Sequence, residues 1–188
     1  LTVFAKFISF VVLLVITATA SIEHNVLGGN PEITVHTRLA HIQATEEMAR
    51  QQRLFKEIDC LARNIYYEAR GESREGQLAV AQVTLNRVES NMFPNTICGV
   101  VNERYMVRNK EVCQFSWRCE YNTNPKLKIS ESNPVFLIAW QAIRDYHKLT
   151  VVTHDTYWFH ATYVKPRWRK SKELVAKIDY HIFYRLPN

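Results

Sequence analysis

The sequence predicts a mainly α (α+β) chain: a helical domain with a small antiparallel β element near its C-terminus. Three observations carry that prediction. Apolar residues recur at helical spacing in separate runs between Cys60 and Leu149. Helix start and stop residues punctuate those runs, at Gly71, Ser73 and Asn133-Pro134. After Thr150 the period shortens, and two stretches rich in strand formers follow.

The chain begins with a segment of a different kind. Residues 1–20 read as a signal peptide or N-terminal anchor: Lys6 is a short positive n-region, Phe7 to Ile16 is almost continuously apolar, and Ala18-Thr19-Ala20 fits a small-x-small cleavage site. That run is shorter than the roughly 20 residues a membrane-spanning helix needs. The expected location is secreted, periplasmic or at the cell envelope, with any membrane contact made through this segment alone. Residues 21–55 read as a linker or stalk followed by a helical lead-in. Gly28, Gly29, Pro31 and scattered histidines give Ser21 to about Thr45 little periodicity, whereas Glu46 to Lys56 is polar and helix-compatible. The catalytic domain is assigned to residues 56–188.

Its first helix takes a buried stripe from Leu61, Ala62, Ile65 and Ala69, and Gly71 ends it through the left-handed cap conformation that glycine reaches without strain. Ser73 then caps a second helix, with Glu75 in its positive first turn. Leu78, Val80, Ala81, Val83, Leu85 and Val88 give that helix an apolar face too wide for a surface element, so it is expected to be buried. Phe93-Pro94-Asn95 breaks it, and Thr96 to Asn102 reads as a short helix with Ile97, Val100 and Val101 inward. Asn133-Pro134 starts a further core helix, an N-cap followed by proline at the first helical position. Asp155–His160 and Tyr180–Tyr184 are the strand candidates, expected to pair.

Four cysteines stand at positions 60, 98, 113 and 119, with no C-x-x-C pair of the kind a structural zinc site uses. Behind a secretory leader an even count points to disulfides. Cys113 and Cys119 bracket a five-residue loop and are a candidate local pair, which leaves Cys60 with Cys98. Three connectivities remain open on sequence alone. No metal and no cofactor are expected. The net charge of +6 favours anionic partners without choosing among them. Lys165 to Lys172 is the strongest basic patch, built around Trp168; such interleaving also suits single-stranded nucleic acid, a partner that a secretion signal argues against.

Glu68 sits in the last turn of the first helix, where the negative end of the helix dipole disfavours a further negative charge, and Tyr66 and Tyr67 add apolar bulk. Both effects raise a carboxyl pKa, as a general acid near neutral pH requires. The bland alternative is one more exposed helix-end acid.

The wording of the chain decides between them. LARNIYYEARGE, GQLAVAQVTLNRV, FPNTICGVV, CQFSWRC, YWFHATYVKPRW and AKIDYHIFYR follow one another between Asp59 and Arg185. Together they resemble the SleB-type cell-wall hydrolases, which include spore-cortex-lytic enzymes. Many members carry Pro where Ser73 stands here. The resemblance implies a lysozyme-like helical domain that cleaves peptidoglycan glycan strands, with Glu68 as catalytic acid. It also implies that CQFSWRC lines the cleft. Gln114 and Ser116 become candidates to bond sugar hydroxyls or N-acetyl groups, and Trp117 a candidate stacking platform, set against a buried aromatic plug. His160 and Tyr163 fall in its H-x-x-Y-V-x-P-x-W pattern, with substrate contact or a scaffold role favoured over acid–base work for His160. Glu72, the second Glu of EARGE, is a candidate for reaching the site or orienting the corner. The implied partners are peptidoglycan glycan strands and anionic cell-envelope polymers.

Glycoside hydrolysis ordinarily needs two carboxyl groups. A single glutamate suffices for lytic transglycosylation, in which it protonates the bridging oxygen and then deprotonates the sugar's own 6-hydroxyl. That is the expected reaction. Hydrolytic muramidase action comes second, and an amidase third, lacking a zinc-ligand set in the sequence. A non-catalytic wall-binding module is the alternative of another class.

Overall fold

The computed structural model describes residues 31–120, 127 and 129–187. The leader expected at residues 1–20, and the linker over 21–30, lie outside the described residues. The chain falls into two units, residues 1–54 and 55–188. Helix α1 (Pro31–Ala69) begins in the first unit and ends in the second. Residues 31–45 are therefore helical, which corrects the linker expectation for that stretch: Pro31 opens the helix from the position where a missing N–H costs nothing.

The second unit is built around α2 (Arg74–Glu89). Its residues from Gly76 to Arg87 are all buried, on every side of the helix. On one side Leu78, Ala81 and Leu85 meet Ile58, Leu61, Ala62 and Ile65 of α1, the inward side of α3 (Ile97–Asn102), and α4 (Pro134–Arg144). On another side Ala79, Val80 and Val83 pack with Val152 and Phe183. The caps are those the sequence predicts: the Ser73 hydroxyl accepts from the Gly76 N–H at 3.2 Å, the Thr96 hydroxyl from Gly99, and Asn133 Oδ1 from Val135. At Gly71 the outcome differs. Among the described residues no glycine has positive φ, and α1 ends in a tight turn in which the Glu72 N–H donates to the Ala69 carbonyl at 3.0 Å.

Strands β1 (Arg104–Val107) and β2 (Lys110–Cys113) form a hairpin that the sequence reading missed. Its turn holds Arg108 and Asn109 at positive φ, without the glycine that would have marked it. The C-terminal sheet contains β3 (Thr156–Ala161), β4 (Glu173–Ile178) and β5 (His181–Arg185), in the order β3-β5-β4, all antiparallel. The expected pairing is β3 with β5, with Phe159 opposite Phe183. The addition is β4, on the far side of β5. Disulfides join Cys60 to Cys98 and Cys113 to Cys119.

Polar residues on the buried helix hold the sheet in place. Gln82 donates to the carbonyls of Leu149 and Val152 at 2.9 and 2.7 Å, and its own oxygen accepts from the Val152 N–H at 3.0 Å. Asn86 donates to the carbonyls of Thr153 and Thr156, both at 2.9 Å, and accepts from the Tyr146 hydroxyl. The loop ahead of β3 thus finds its backbone partners on α2. Gln82→Leu leaves one N–H and two carbonyls without these partners, and urea unfolding is expected to show a loss of about 2–4 kcal/mol. Breaking the Cys60–Cys98 bridge with paired alanines is expected to cost about 2–5 kcal/mol by the same measurement.

Candidate active site

Where α1 ends, the corner into α2, the CQFSWRC loop and the β3–β5 face enclose a cleft of about 650 Å³. Glu68 lies in it, half-buried. Desolvation pushes its carboxyl up to about 7, helped by the charges of Glu120 and Glu72 and opposed by Arg87. Gln114, Ser116, Trp117, His160 and Tyr163 line the same cleft, so six candidates from distant parts of the chain meet there.

They differ in what they present. Tyr163 stands at the rim, 84% exposed, and Ser116 is also open to solvent. His160 is buried: its Nδ1 lies 2.8 Å from the Ala161 carbonyl and its Nε2 lies 3.0 Å from the Tyr184 hydroxyl. A carbonyl only accepts, so Nδ1 carries the proton and donates to it; Tyr184 takes the other nitrogen. Both ring nitrogens are thus engaged within the sheet. Trp117 is 3% exposed. Its indole N–H donates to Asn64 Oδ1 at 3.1 Å, and Tyr67 stacks on it with centroids 4.5 Å apart. This corrects the open stacking platform to the buried plug, because the bond to Asn64 draws the ring inward.

Glu72 does not line the cleft. The turn after Ala69 carries its side chain toward the β4–β5 corner, where Oε1 lies 2.7 Å from His181 Nδ1 without hydrogen-bond geometry, and neither that nitrogen nor Oε2 has a hydrogen-bond partner among the described residues. Asp179, at positive φ in that corner, accepts from the Ser73 N–H at 2.9 Å and its hydroxyl at 2.6 Å. A Cβ on Gly76 would collide with the carboxylate ends of Glu72 and Asp179, so a larger residue there requires those side chains to shift. The candidate role of Glu72 as a group reaching the substrate is corrected to a role behind the wall of the cleft.

Three cleft residues escaped the sequence reading. Arg87 is 2% exposed, yet lines the cleft. Its Nε donates to the Tyr157 carbonyl at 2.8 Å. With the Gln114 amide turned to meet it, the amide oxygen accepts from both terminal nitrogens of Arg87 at 3.0 and 3.1 Å. Phe93 and Phe115 lie against the guanidinium at 5.4 and 5.2 Å. Burial lowers the Arg87 pKa to about 10, still leaving it charged at neutral pH, and the charges of Glu103 and Glu68 oppose that fall. A basic residue at the end of an apolar helix face was the available signal. Glu120 brings a second carboxyl to the cleft, and His181 brings an imidazole. Nothing in the local sequence marks either.

A helical domain with one proton-holding carboxyl beside a buried arginine, in an open cleft, has the make-up of a lysozyme-like glycosidase. The chain belongs to the Cell Wall Hydrolase family, whose profile matches residues 71–184; the match starts three residues after Glu68. It is similar to the spore cortex-lytic enzyme of Bacillus subtilis, 53% identical over 47 residues that make up 25% of this chain and 15% of that protein. A segment of the same length is 53% identical to the spore cortex-lytic enzyme of Oceanobacillus iheyensis, covering 17% of it. The chain therefore spans less than a fifth of the length of these curated relatives. Among solved structures it resembles the catalytic domain of the Bacillus cereus SleB protein, with TM-score 0.52 and 28% identity over 69% of this chain and 89% of that one. The catalytic domain of the germination-specific lytic transglycosylase SleB from Bacillus anthracis matches with the same score and identity, over 93% of its length. The mainly helical, lysozyme-like class expected from the sequence is that of these neighbours. Among the described residues no helix is long and apolar enough to cross a membrane.

Because the folded pKa of Glu68 lies above its unfolded value, its contribution to stability is complete below about 4.5 and is lost as pH rises through about 7. Glu68→Gln removes that loss. The variant is expected to be more stable than the parent at pH 8, by up to about 2 kcal/mol after screening by the open cleft, and equal to it near pH 4. Paired thermal melts at the two pH values check this.

Proposed function

We propose that this chain cleaves peptidoglycan glycan strands between N-acetylmuramic acid and N-acetylglucosamine as a lytic transglycosylase, with Glu68 as acid and then base. The observation that carries the reading is the Glu68 carboxyl, held near pH 7 in the cleft by desolvation with the Arg87 charge opposing. Protonated, Glu68 gives its proton to the bridging oxygen, and the bond from that oxygen to C1 of the muramic sugar breaks. The carboxylate so formed is stabilised by Arg87. It takes the proton of the 6-hydroxyl as that oxygen closes onto C1, which leaves a 1,6-anhydro end and restores the acid. One carboxyl serves both proton transfers. A binding module has no use for a carboxyl whose pKa burial has raised. The names of the structural neighbours, a lytic transglycosylase among them, support the same reading, as do the cortex-lytic relatives for an envelope location.

Glu120 favours a second reading. It lies in the cleft with Glu68, so a water-using muramidase would draw on Glu120 as its second carboxylate.

Digestion of purified peptidoglycan followed by mass spectrometry separates the two. Anhydro-ended muropeptides are expected, and Glu68→Gln is expected to reduce them by about 10²–10⁴-fold. Activity of the parent should fall as pH rises through about 7, where Glu68 loses its proton. Reducing ends lost on Glu120→Gln would instead establish hydrolysis.

A further inference from the structure

The cleft mouth carries positive charge that the proposed reaction does not use. Arg70, two residues after Glu68, lines the cleft and is exposed. Its guanidinium lies over the Tyr66 ring, 4.6 Å from the centroid, and makes no ion pair among the described residues. Tyr163 and Val164 also line the cleft, and a run of cations follows them directly: Lys165, Arg167, Arg169 and Lys170. Lys165, Arg167 and Lys170 are exposed. None of the four is in an ion pair among the described residues.

The run is fixed in place. The Val164 N–H donates to the Ala161 carbonyl at 2.9 Å, and Arg167–Ser171 is a 3₁₀ turn in which the Ser171 hydroxyl donates to the Trp168 carbonyl at 2.9 Å. Trp168 packs edge-on against His160 and Tyr184, with ring centroids 5.6 Å from each. His160 lines the cleft, so this turn is anchored to the cleft wall. The acids that follow in sequence are engaged elsewhere: Glu173 pairs with Arg185 at 2.6 Å, and Asp179 accepts from Ser73. Glu68 and Glu120 are the carboxyls of the cleft itself. Arg104 and Arg144 have their charges met by Glu111 and Asp145, whereas the cations at the cleft mouth present theirs to solvent. Like charges gathered on one ledge repel one another, and an anionic ligand relieves that repulsion.

We propose that Arg70 and the Lys165–Lys170 run bind carboxylates of the peptide stems that branch from the muramic sugars, so that the protein selects a strand by its stems as well as by its sugars. The proposal rests on the glycan-cleaving reading for its ligand. A stem leaves the strand at the muramic sugar, beside the bond that Glu68 would break, and two or three extended residues reach about 7–11 Å from it. That reach carries stem carboxylates out past the cleft mouth. Arg70, backed by the Tyr66 ring, offers a planar fork that takes a carboxylate through two parallel bonds. The exposed lysines and arginine beyond it suit a ligand of variable conformation: each contact is weak alone, and several together set a preference.

Co-sedimentation with insoluble peptidoglycan tests this apart from cleavage when the protein carries Glu68→Gln, which leaves the strands whole. Three preparations are compared: intact, freed of phosphate polymers by hydrofluoric acid, and with its stem carboxyls capped as amides. Binding is expected to be equal on the first two, and Kd to rise about tenfold on the capped material. Adding Lys165→Gln, Arg167→Gln and Lys170→Gln together is expected to weaken binding to intact material about tenfold, and adding Arg70→Gln alone about threefold; on capped material neither should differ from the protein without them. Equal binding to intact and capped material, or variants that bind intact material as tightly as the protein without them, overturns the proposal. Binding lost with the phosphate polymers also overturns it and assigns the ledge to a phosphodiester chain. Soluble strands serve as competitors, either bearing stems or stripped of them by an amidase, which leaves a lactyl carboxylate on each muramic sugar. Stem-bearing strands are expected to compete about tenfold better, and equal competition overturns the stem as the source of the carboxylate. If capping weakens binding as expected while the parent chain cleaves no glycan, the reaction assignment fails and stem recognition stands.

Discussion

A helix that is buried on every side has to solve a problem that surface helices never meet: its polar residues must find partners inside the protein. In α2 that need organises the whole second unit. Gln82 and Asn86 satisfy the backbone between Leu149 and Thr156, which enters no regular ladder before β3 begins. The next residue, Arg87, does the same for Tyr157. The register of β3 on α2 follows from these bonds, and with it the distance of the β3–β5 face from the end of α1. Leaving such groups unpaired costs far more than the net gain of any one bond, so the loop has little freedom to settle elsewhere.

The same helix sets the electrostatics of the cleft. A buried guanidinium is costly unless paired, and Arg87 is held by a backbone carbonyl, the Gln114 amide and two flanking aromatic rings. Its charge opposes the rise that desolvation imposes on Glu68. Burial alone would carry the carboxyl too high to ionise readily after giving up its proton; full solvation would leave it ionised from the start. The balance near neutrality suits the two proton transfers proposed for Glu68. Gln114, read from the sequence as a sugar contact, serves through Arg87 as well.

Much of this was legible because local rules and the global fold agree. Ser73, Thr96 and Asn133 cap the helices as their types require, and the width of the apolar face on α2 announced its burial. The strand pair after Thr150 was visible in its aromatic content. What was hidden depends on single backbone choices or distant partners. The β1–β2 turn uses Arg108 and Asn109 where glycine would have signalled it. The direction of Glu72 follows from one tight turn after Ala69, which helical spacing does not describe. Strand β4 was obscured by the basic run before it. The inward rotation of Trp117 depends on Asn64, fifty-three positions away in sequence.

Gly76 has a consequence of another kind. It leaves room for two carboxylates at the start of α2, one from the preceding corner and one from the β4–β5 turn, where any methyl group would strike both. Positions 72, 76, 179 and 181 thus share one small volume. A bulkier residue at 76 is tolerable only if a neighbouring acid shortens or withdraws. Such positions evolve as a block: related chains should keep all four or replace them together, and the pattern of their joint replacement would trace how far this corner has been inherited as a single part.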